Sequence, residues 1–136
     1  MNDKIPVAWF AFALCFFGCV NKPTPEPARK KIDYIKAIPG PSEPIPQGVA
    51  EKGEVLVNYS DCFSCHKIDE RSVGPAFKDI AKRYPVNKVY IEMLAQKVIR
   101  GGNGAWGYPV MDPHPKLTIE NAKLMVTYVL SLKRSR

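Results

Sequence analysis

The sequence predicts an all-α domain of about four helices, which occupies residues 48–136. Two observations predict this fold class. Apolar residues in this region recur every three or four positions, the spacing that places them on one face of an α-helix. No run of residues alternates between apolar and polar in the way that a half-buried strand does. A chain of 136 residues is long enough for one compact domain with appended segments.

Capping and breaking residues set the expected helix boundaries. The predicted helical stretches are residues 49–59, 77–84, 87–100 and a last one that begins at Thr118. Asn87 and Thr118 carry side-chain oxygens that accept hydrogen bonds from the free N–H groups of a first helical turn. Pro85 and Gly101 stop the second and third helices, because proline lacks an N–H group and glycine tolerates a left-handed backbone.

The stretch between the third and fourth helices reads GGNGAWGYPVMDPHPKL. It is rich in glycine and proline, and we predict that it forms neither helix nor strand. Irregular loops of this length inside a compact domain usually serve a function, so this loop is a candidate part of the site.

Residues 1–18 have the outline of an export signal. After a short polar start, an apolar run of sixteen residues extends from Ile5 to Val20. As a helix, this run would span about 24 Å, which is less than the roughly 30 Å hydrocarbon core of a bilayer. Gly18 and Cys19 resemble the cleavage site of bacterial lipoproteins, so we expect Cys19 to be a lipid anchor. An uncleaved short anchor and an ordinary cleaved signal remain alternatives, and all three place the domain outside the cytoplasm.

Residues 19–47 are predicted to be a proline-rich, flexible linker. Seven of the 13 prolines lie between Pro23 and Pro46, and the segment has too few large apolar residues to form a core. A short apolar patch in the linker is expected to rest on the domain without regular secondary structure: Ile32, Tyr34, Ile35 and Ile38.

The segment Cys62-Phe63-Ser64-Cys65-His66 carries the clearest chemical signal. Two thiols three positions apart can each form a thioether with one of the two vinyl groups of a haem, and the adjacent histidine then lies over the iron. The same residue types also serve zinc binding, for which His114 is the remaining strong ligand candidate, and disulfide exchange. An exported dithiol tends to be oxidised or capped, and thioredoxin-like proteins place the motif beside a parallel sheet. Both readings therefore remain alternatives to haem attachment.

Three further features accompany this motif. Gly74-Pro75 follows His66 by nine residues, and Met111 lies 45 residues after His66 in a proline-flanked Pro-Val-Met-Asp-Pro sequence. Trp106 lies among glycines, and its indole N–H needs a polar partner when the ring is buried. Together these features make haem attachment the favoured interpretation.

With these features in place, residues 48–136 resemble a small bacterial monohaem cytochrome c of class I, of the type that acts as a periplasmic electron carrier. The matching segments are Cys62-x-x-Cys65-His66, residues 73–76, residues 104–107, Met111 and residues 128–131. The resemblance implies a class I cytochrome c fold, with about four helices around one covalently bound haem c. It also implies that Tyr128 packs the last helix across the first near Val57.

On the attachment side, the resemblance implies specific roles for four residues. Cys62 and Cys65 are the implied thioether anchors, and His66 is the implied proximal ligand of the iron. The Pro75 carbonyl is the implied acceptor for the outer ring nitrogen of His66, a hydrogen bond that would set the tautomer of the imidazole.

On the distal side, the resemblance implies Met111 as the second iron ligand, and it implies that Trp106 and Arg100 face a haem propionate. The methionines within the predicted helices are interpreted as core filler, whereas Met111 lies in a loop with no helical face to fill. His114 is the alternative distal ligand, and its other interpretation is a solvated histidine between two prolines.

The formal charge of +7 indicates what kind of redox partner the protein would bind. Six cations flank the attachment segment and could frame an exposed haem edge: Lys67, Arg71, Lys78, Lys82, Arg83 and Lys97. Such a ring would steer the domain toward an acidic redox partner. The alternative is that these residues only solvate helix faces. A nucleic-acid partner is not expected, because basic and acidic residues are interleaved.

The sequence therefore predicts a membrane-tethered electron carrier in an extracytoplasmic compartment. Because the implied iron is six-coordinate, no position is left for a substrate, and the protein is not expected to be an enzyme. Two alternatives remain open. The domain could be the dedicated haem subunit of a periplasmic dehydrogenase or reductase, or Met111 could be a labile ligand in a haem sensor.

Overall fold

The computed structural model describes residues 32–134, which contain four α-helices and one two-stranded antiparallel sheet. The elements in chain order are α1 (Val49–Asn58), α2 (Phe77–Arg83), α3 (Lys88–Arg100), β1 (Gly102–Gly104), β2 (Gly107–Met111) and α4 (Ile119–Ser131). Single 3₁₀ turns occupy Cys62–Ser64 and Leu132–Arg134. The expected export signal, Cys19 and the first part of the linker lie outside the described residues. Within residues 32–134, no helix combines the length and the hydropathy needed to cross a bilayer.

The four expected helices are confirmed, and each begins and ends within about two residues of its predicted boundary. Asn87 caps α3, with its side chain accepting a hydrogen bond from the backbone N–H of Tyr90 at 3.2 Å. Thr118 caps α4 in the same way, accepting from Asn121 at 3.2 Å. These helices form where predicted because the caps and breakers that delimit them act locally.

The core is built on the crossing of α1 and α4. Gly53 and Val57 are the buried residues of α1, and Val57 shares a cluster with Tyr128 of α4, as expected. A side chain at Gly53 would meet the backbone carbonyl of Leu124 and would lie 2.9 Å from the Tyr128 Cβ. Only glycine therefore allows the two helices to approach this closely. On its other side, α4 joins a second cluster with α3 and the α2–α3 connection, centred on the fully buried Leu130.

The loop after α3 differs from the prediction, because it contains a β-hairpin. In the antiparallel register, Gly102 pairs with Met111 and Gly104 with Gly107. These three glycines have φ values of +101°, +97° and +95°, a conformation that L-residues with side chains rarely adopt. The hairpin is held by backbone pairing and glycine turns, so it forms without the apolar alternation by which strands are normally recognised.

The second half of the predicted linker also differs from expectation. Residues 32–47 contain no helix or strand, but they belong to the same compact unit as the domain, which begins at Ile32. The N–H of Ile38 donates to the Arg83 carbonyl at 2.8 Å, and that of Glu43 donates to the Val86 carbonyl at 2.6 Å. Arg83 is the last residue of α2, which ends before Pro85, and Val86 lies between α2 and α3. Neither carbonyl has a partner within a helix, so an extended segment can pair with them.

Arg83 connects this segment to the aromatic side of the domain. Its guanidinium donates to the Tyr34 carbonyl at 2.6 Å and lies 5.0 Å from the centre of the Trp106 ring and 5.5 Å from that of Tyr84. Ile38 packs on the same core cluster, whereas Ile32 and Ile35 stay exposed. The apolar patch of the linker is thus only partly buried against the domain.

Candidate functional site

A cavity of about 270 Å³ lies between the helices, the attachment segment and the hairpin. Its walls are mostly apolar and come from all four helices: Val57, Phe77, Ile80, Leu94, Val98, Met125, Val126 and Val129. Six of the seven predicted site residues also line it: Cys62, Cys65, His66, Pro75, Trp106 and Met111. The seventh, Arg100, is exposed in the last turn of α3 and does not line the cavity.

The attachment segment follows directly after α1. The 3₁₀ turn places the backbone N–H groups of Cys65 and His66 3.2 and 2.9 Å from the Cys62 carbonyl. Both cysteines are free thiols, Cys62 half-buried and Cys65 exposed. Burial raises the pKa of the Cys62 thiol, and the charge of Asp61 raises it further. Thiol–disulfide oxidoreductases need an attacking cysteine with a lowered pKa, so this direction opposes that alternative.

His66 is held in one tautomer by Pro75. Its Nδ1 lies 2.7 Å from the Pro75 carbonyl oxygen, which can only accept a hydrogen bond, so Nδ1 carries the proton. Nε2 is left with a lone pair that can bind a metal. Burial lowers the pKa of His66; the Pro75 hydrogen bond raises it in part, and the nearby charge of His114 lowers it again. The net direction favours the neutral, ligating form of the ring.

Two neighbours fix the orientation of the His66 ring. Phe77 stacks on it with ring centres 5.1 Å apart and an angle of 21° between the planes. Gly74 leaves room on another side, since a Cβ there would lie 2.5 Å from the His66 Cε1. The N–H of Gly74 donates to the Cys65 carbonyl at 2.8 Å, so this loop is tied back to the attachment segment.

Met111 enters the cavity from the end of β2. Its thioether is the kind of soft ligand that accompanies histidine in c-type haem sites. Met125 also lines the cavity, but it is 3% exposed and packs in the cluster shared by α1 and α4. Met93 is exposed on α3 and is absent from the cavity wall.

Trp106 lies between the two strands, at the edge of the cavity. Its backbone carbonyl accepts a hydrogen bond from Arg71 at 3.2 Å, and its ring meets Tyr84 edge to face at 6.5 Å. The cations that line the cavity are Arg71 and Lys97, in place of the expected Arg100. Helical spacing explains why Lys97 and not Arg100 lines the cavity. Lys97 lies three residues after Leu94, which also lines the cavity, and therefore on the same face of α3. Arg100 lies six residues after Leu94 and points to another face.

Two side chains of the site were not recognised from the sequence in their actual roles. The Nδ1 of His114 lies 3.2 Å from the Val98 carbonyl of α3, and its Nε2 lies 3.1 Å from the carboxylate of Asp61, next to Cys62. Both ring nitrogens of His114 thus have a partner within the domain and the side chain is 23% exposed, so His114 is not simply a solvated histidine. No local pattern links residues 53 positions apart, so only the fold reveals this contact.

The expected ring of cations is partly neutralised. Three of its lysines form ion pairs with neighbouring acids: Lys67 with Glu70 at 2.7 Å, Lys78 with Asp69 at 2.5 Å and Lys82 with Asp79 at 3.4 Å. Each of these pairs has at least one largely exposed partner, and such surface pairs contribute little to stability. Arg71 and Lys97 donate to backbone carbonyls and keep their charge unpaired by the acids of the described region.

The donor set fits a haem better than a bare metal ion. Two thiols, an imidazole with a fixed tautomer and a thioether surround an apolar cavity that matches a flat hydrophobic macrocycle. In residues 32–134, no three His, Cys, Asp or Glu side chains are grouped to hold a metal ion by themselves. The arrangement therefore suits an iron that is brought into the cavity by its own porphyrin.

Known proteins share both the sequence and the fold. A family model described as cytochrome c matches residues 50–133. Cytochrome c-552 of Hydrogenobacter thermophilus is 36% identical over 86 residues, which cover 63% of this chain and 87% of that protein. Cytochrome c-551 of Stutzerimonas stutzeri is 38% identical over 85 residues, which cover 62% and 81%. The crystal structure of wild-type Nitrosomonas europaea cytochrome c552 superposes with a TM-score of 0.55 at 34% identity, covering 59% of this chain and 99% of that one.

Proposed function

Because this chain belongs to the cytochrome c family, we propose that it is an extracytoplasmic electron carrier whose haem iron is bound by His66 and Met111. The fold is the mostly helical class I cytochrome c fold, and the protein carries one covalently bound haem c through which electrons are transferred. The observation that carries the ligand proposal is the presence of Met111 and the Pro75-bound His66 on the wall of one apolar cavity.

Each residue of the cavity has a distinct part in this proposal. When bound, the haem supplies an iron that accepts and releases one electron. Cys62 and Cys65 would hold it through thioether bonds, and the free Nε2 of His66 would bind the iron while Nδ1 donates to the Pro75 carbonyl. That hydrogen bond makes the imidazole a more basic ligand. A methionine opposite histidine raises the reduction potential relative to two histidines.

The rest of the cavity controls solvation and charge. Its apolar wall excludes water, which favours the iron state with the lower charge and raises the potential. Trp106, Arg71 and Lys97 lie where the wall becomes polar, and we propose that they stabilise the haem propionates. A carboxylate at low dielectric is costly unless it is hydrogen-bonded or paired, so these groups would offset that cost. Neither the exclusion of water nor the stabilisation of the propionates requires a substrate to bind at the iron.

We expect the reduced wild-type protein to pass single electrons rapidly to a small acidic redox protein and to bind carbon monoxide slowly. Stable ligation by Met111 leaves no free position on the iron, and the unpaired cations near the cavity favour encounter with an acidic surface. Stopped-flow absorbance measures both reactions, and a basic redox protein is the control. Rapid carbon monoxide binding would favour the labile-ligand sensor, and a transfer rate that does not fall with rising salt would exclude electrostatic steering.

The membrane tether is proposed from the sequence alone. Residues 1–18 are the proposed export signal, and Cys19 is the proposed lipid anchor. The protein, matured in a bacterial host, is expected in the membrane fraction with the intact mass of residues 19–136 plus haem and acyl chains. Cys19→Ala removes the acylated side chain and is expected to keep the haem but to lose the acyl mass. Haem staining of the fractions and intact mass measure these outcomes. A wild-type mass that retains residues 1–18 would favour an uncleaved apolar anchor, and a cleaved mass without acyl chains would favour an ordinary signal.

A further inference from the structure

His114 joins three parts of the cavity wall. Its imidazole contacts the Val98 carbonyl of α3 and the carboxylate of Asp61 in the attachment segment, at 3.2 and 3.1 Å. Its backbone N–H donates to the Ile99 carbonyl at 3.0 Å, and its own carbonyl accepts from Leu117 at 3.1 Å. The side chain is 23% exposed, so it is largely withdrawn from water.

Both partners of the His114 ring are acceptors. A backbone carbonyl never donates, and the contact with Asp61 is made by its carboxylate oxygen Oδ1. The ring therefore bridges two oxygen atoms, one at the end of α3 and one beside Cys62.

Because His114 lies close to Met111 in the chain, its contacts also restrain the position of Met111. His114 follows Met111 by three residues and lies between two prolines, which restrict the backbone on both sides. The same segment is packed closely on the end of α3, since a Cβ at Gly101 would lie 2.8 Å from the Pro113 nitrogen. Movement of Met111 away from the cavity would thus require this segment to separate from both α3 and Asp61.

We propose that His114 is a positioning residue, which holds the segment of Met111 against Asp61 and α3 through the two contacts of its ring. This inference rests on the proposed ligation by Met111. Besides His114 and Asp61, the charged or titratable side chains on the cavity wall are Cys62, Cys65 and His66 of the attachment segment, Arg71 of the following loop, Tyr84 after α2, Lys97 of α3 and Asp112 beside Met111. The contributions of α4 to this wall are apolar: Met125, Val126 and Val129.

We expect exogenous imidazole to displace Met111 from the oxidised iron about tenfold more readily in His114→Ala than in wild type, because the variant loses both ring contacts that hold the segment. Loss of the far-red absorption band that sulfur ligation produces reports the displacement. Asp61→Ala should weaken the ligand in the same direction, and Asp61→Ala/His114→Ala should add little to His114→Ala. Glu70→Gln, which changes an exposed acid paired with Lys67, is the matched control and should behave as wild type.

A second readout does not depend on ligand exchange. In the reduced, diamagnetic protein with ¹⁵N-labelled histidine, the ring nitrogen signals of His114 should shift in Asp61→Ala and should match the wild type in Glu70→Gln. Unchanged His114 signals in Asp61→Ala would overturn the inference, as would an unchanged imidazole affinity in His114→Ala. A wild-type protein without the far-red band would instead overturn the Met111 ligation, and the positioning role with it.

Discussion

Met111→Ala is expected to remove the far-red band of the oxidised protein and to open the reduced protein to rapid carbon monoxide binding. The reduction potential should fall by roughly 0.2 V, a fraction of the roughly 0.8 V over which axial ligands set haem potentials. The physical reason is that the thioether is lost from the iron and water or another weak ligand enters the cavity. Absorption spectroscopy and a potentiometric titration measure the three effects.

Two other methionines provide matched controls for Met111. Met93→Ala changes an exposed residue of α3 and should leave the band and the potential unchanged. Met125→Ala removes a buried side chain and should destabilise the fold by about 3 kcal/mol while the band persists. The proposed ligation is wrong if the band survives in Met111→Ala, or if it disappears in Met125→Ala under conditions where that protein is folded.

Gly53→Ala is expected to destabilise the protein strongly, although helix propensity alone predicts the opposite. Alanine favours a helix interior over glycine by roughly 1 kcal/mol. At this position, however, the added methyl group meets the Leu124 carbonyl and lies 2.9 Å from the Tyr128 Cβ. Backbone atoms cannot move aside as a side chain can, so α1 and α4 must separate. We expect the free energy of unfolding to fall by about 3 kcal/mol.

Chemical denaturation followed by circular dichroism measures this change, and Glu51→Ala is its control. Glu51 is exposed on the same helix, so that substitution should alter the free energy of unfolding by less than about 0.5 kcal/mol. A Gly53→Ala protein at least as stable as wild type would show that the crossing of α1 and α4 has room for a side chain, and that glycine is not required there.

The helices and the attachment segment could be predicted because their signals are local. Asn87 and Thr118 cap helices with their own side chains, and Pro85 ends α2 through its own ring. The hairpin could not be predicted in the same way. Its strands are paired by backbone groups, and its glycines carry no side-chain pattern that distinguishes a strand from a loop.

Contacts between distant segments could not be predicted from the sequence either. Arg100 and Lys97 are both cations near the end of α3, and helical spacing distinguishes them only once the structure shows that Leu94 faces the cavity. The segment 32–47 has the composition of a linker, yet its backbone pairs with carbonyls at the end of α2 and in the α2–α3 connection. In both cases, the contact depends on the position of another part of the chain.

The sequence by itself determined the chemistry of this protein: which thiols, which imidazole and which thioether are available, and at what spacing along the chain. It could do so because thioether attachment and helix formation depend on residues that lie within a few positions of one another. The tertiary structure alone decided which groups meet across the cavity: His114 with Asp61 and Val98, Arg71 with the carbonyl of Trp106, and Gly53 with the backbone of α4. Those contacts depend on how the helices pack, and packing is a property of shape and burial summed over the whole domain.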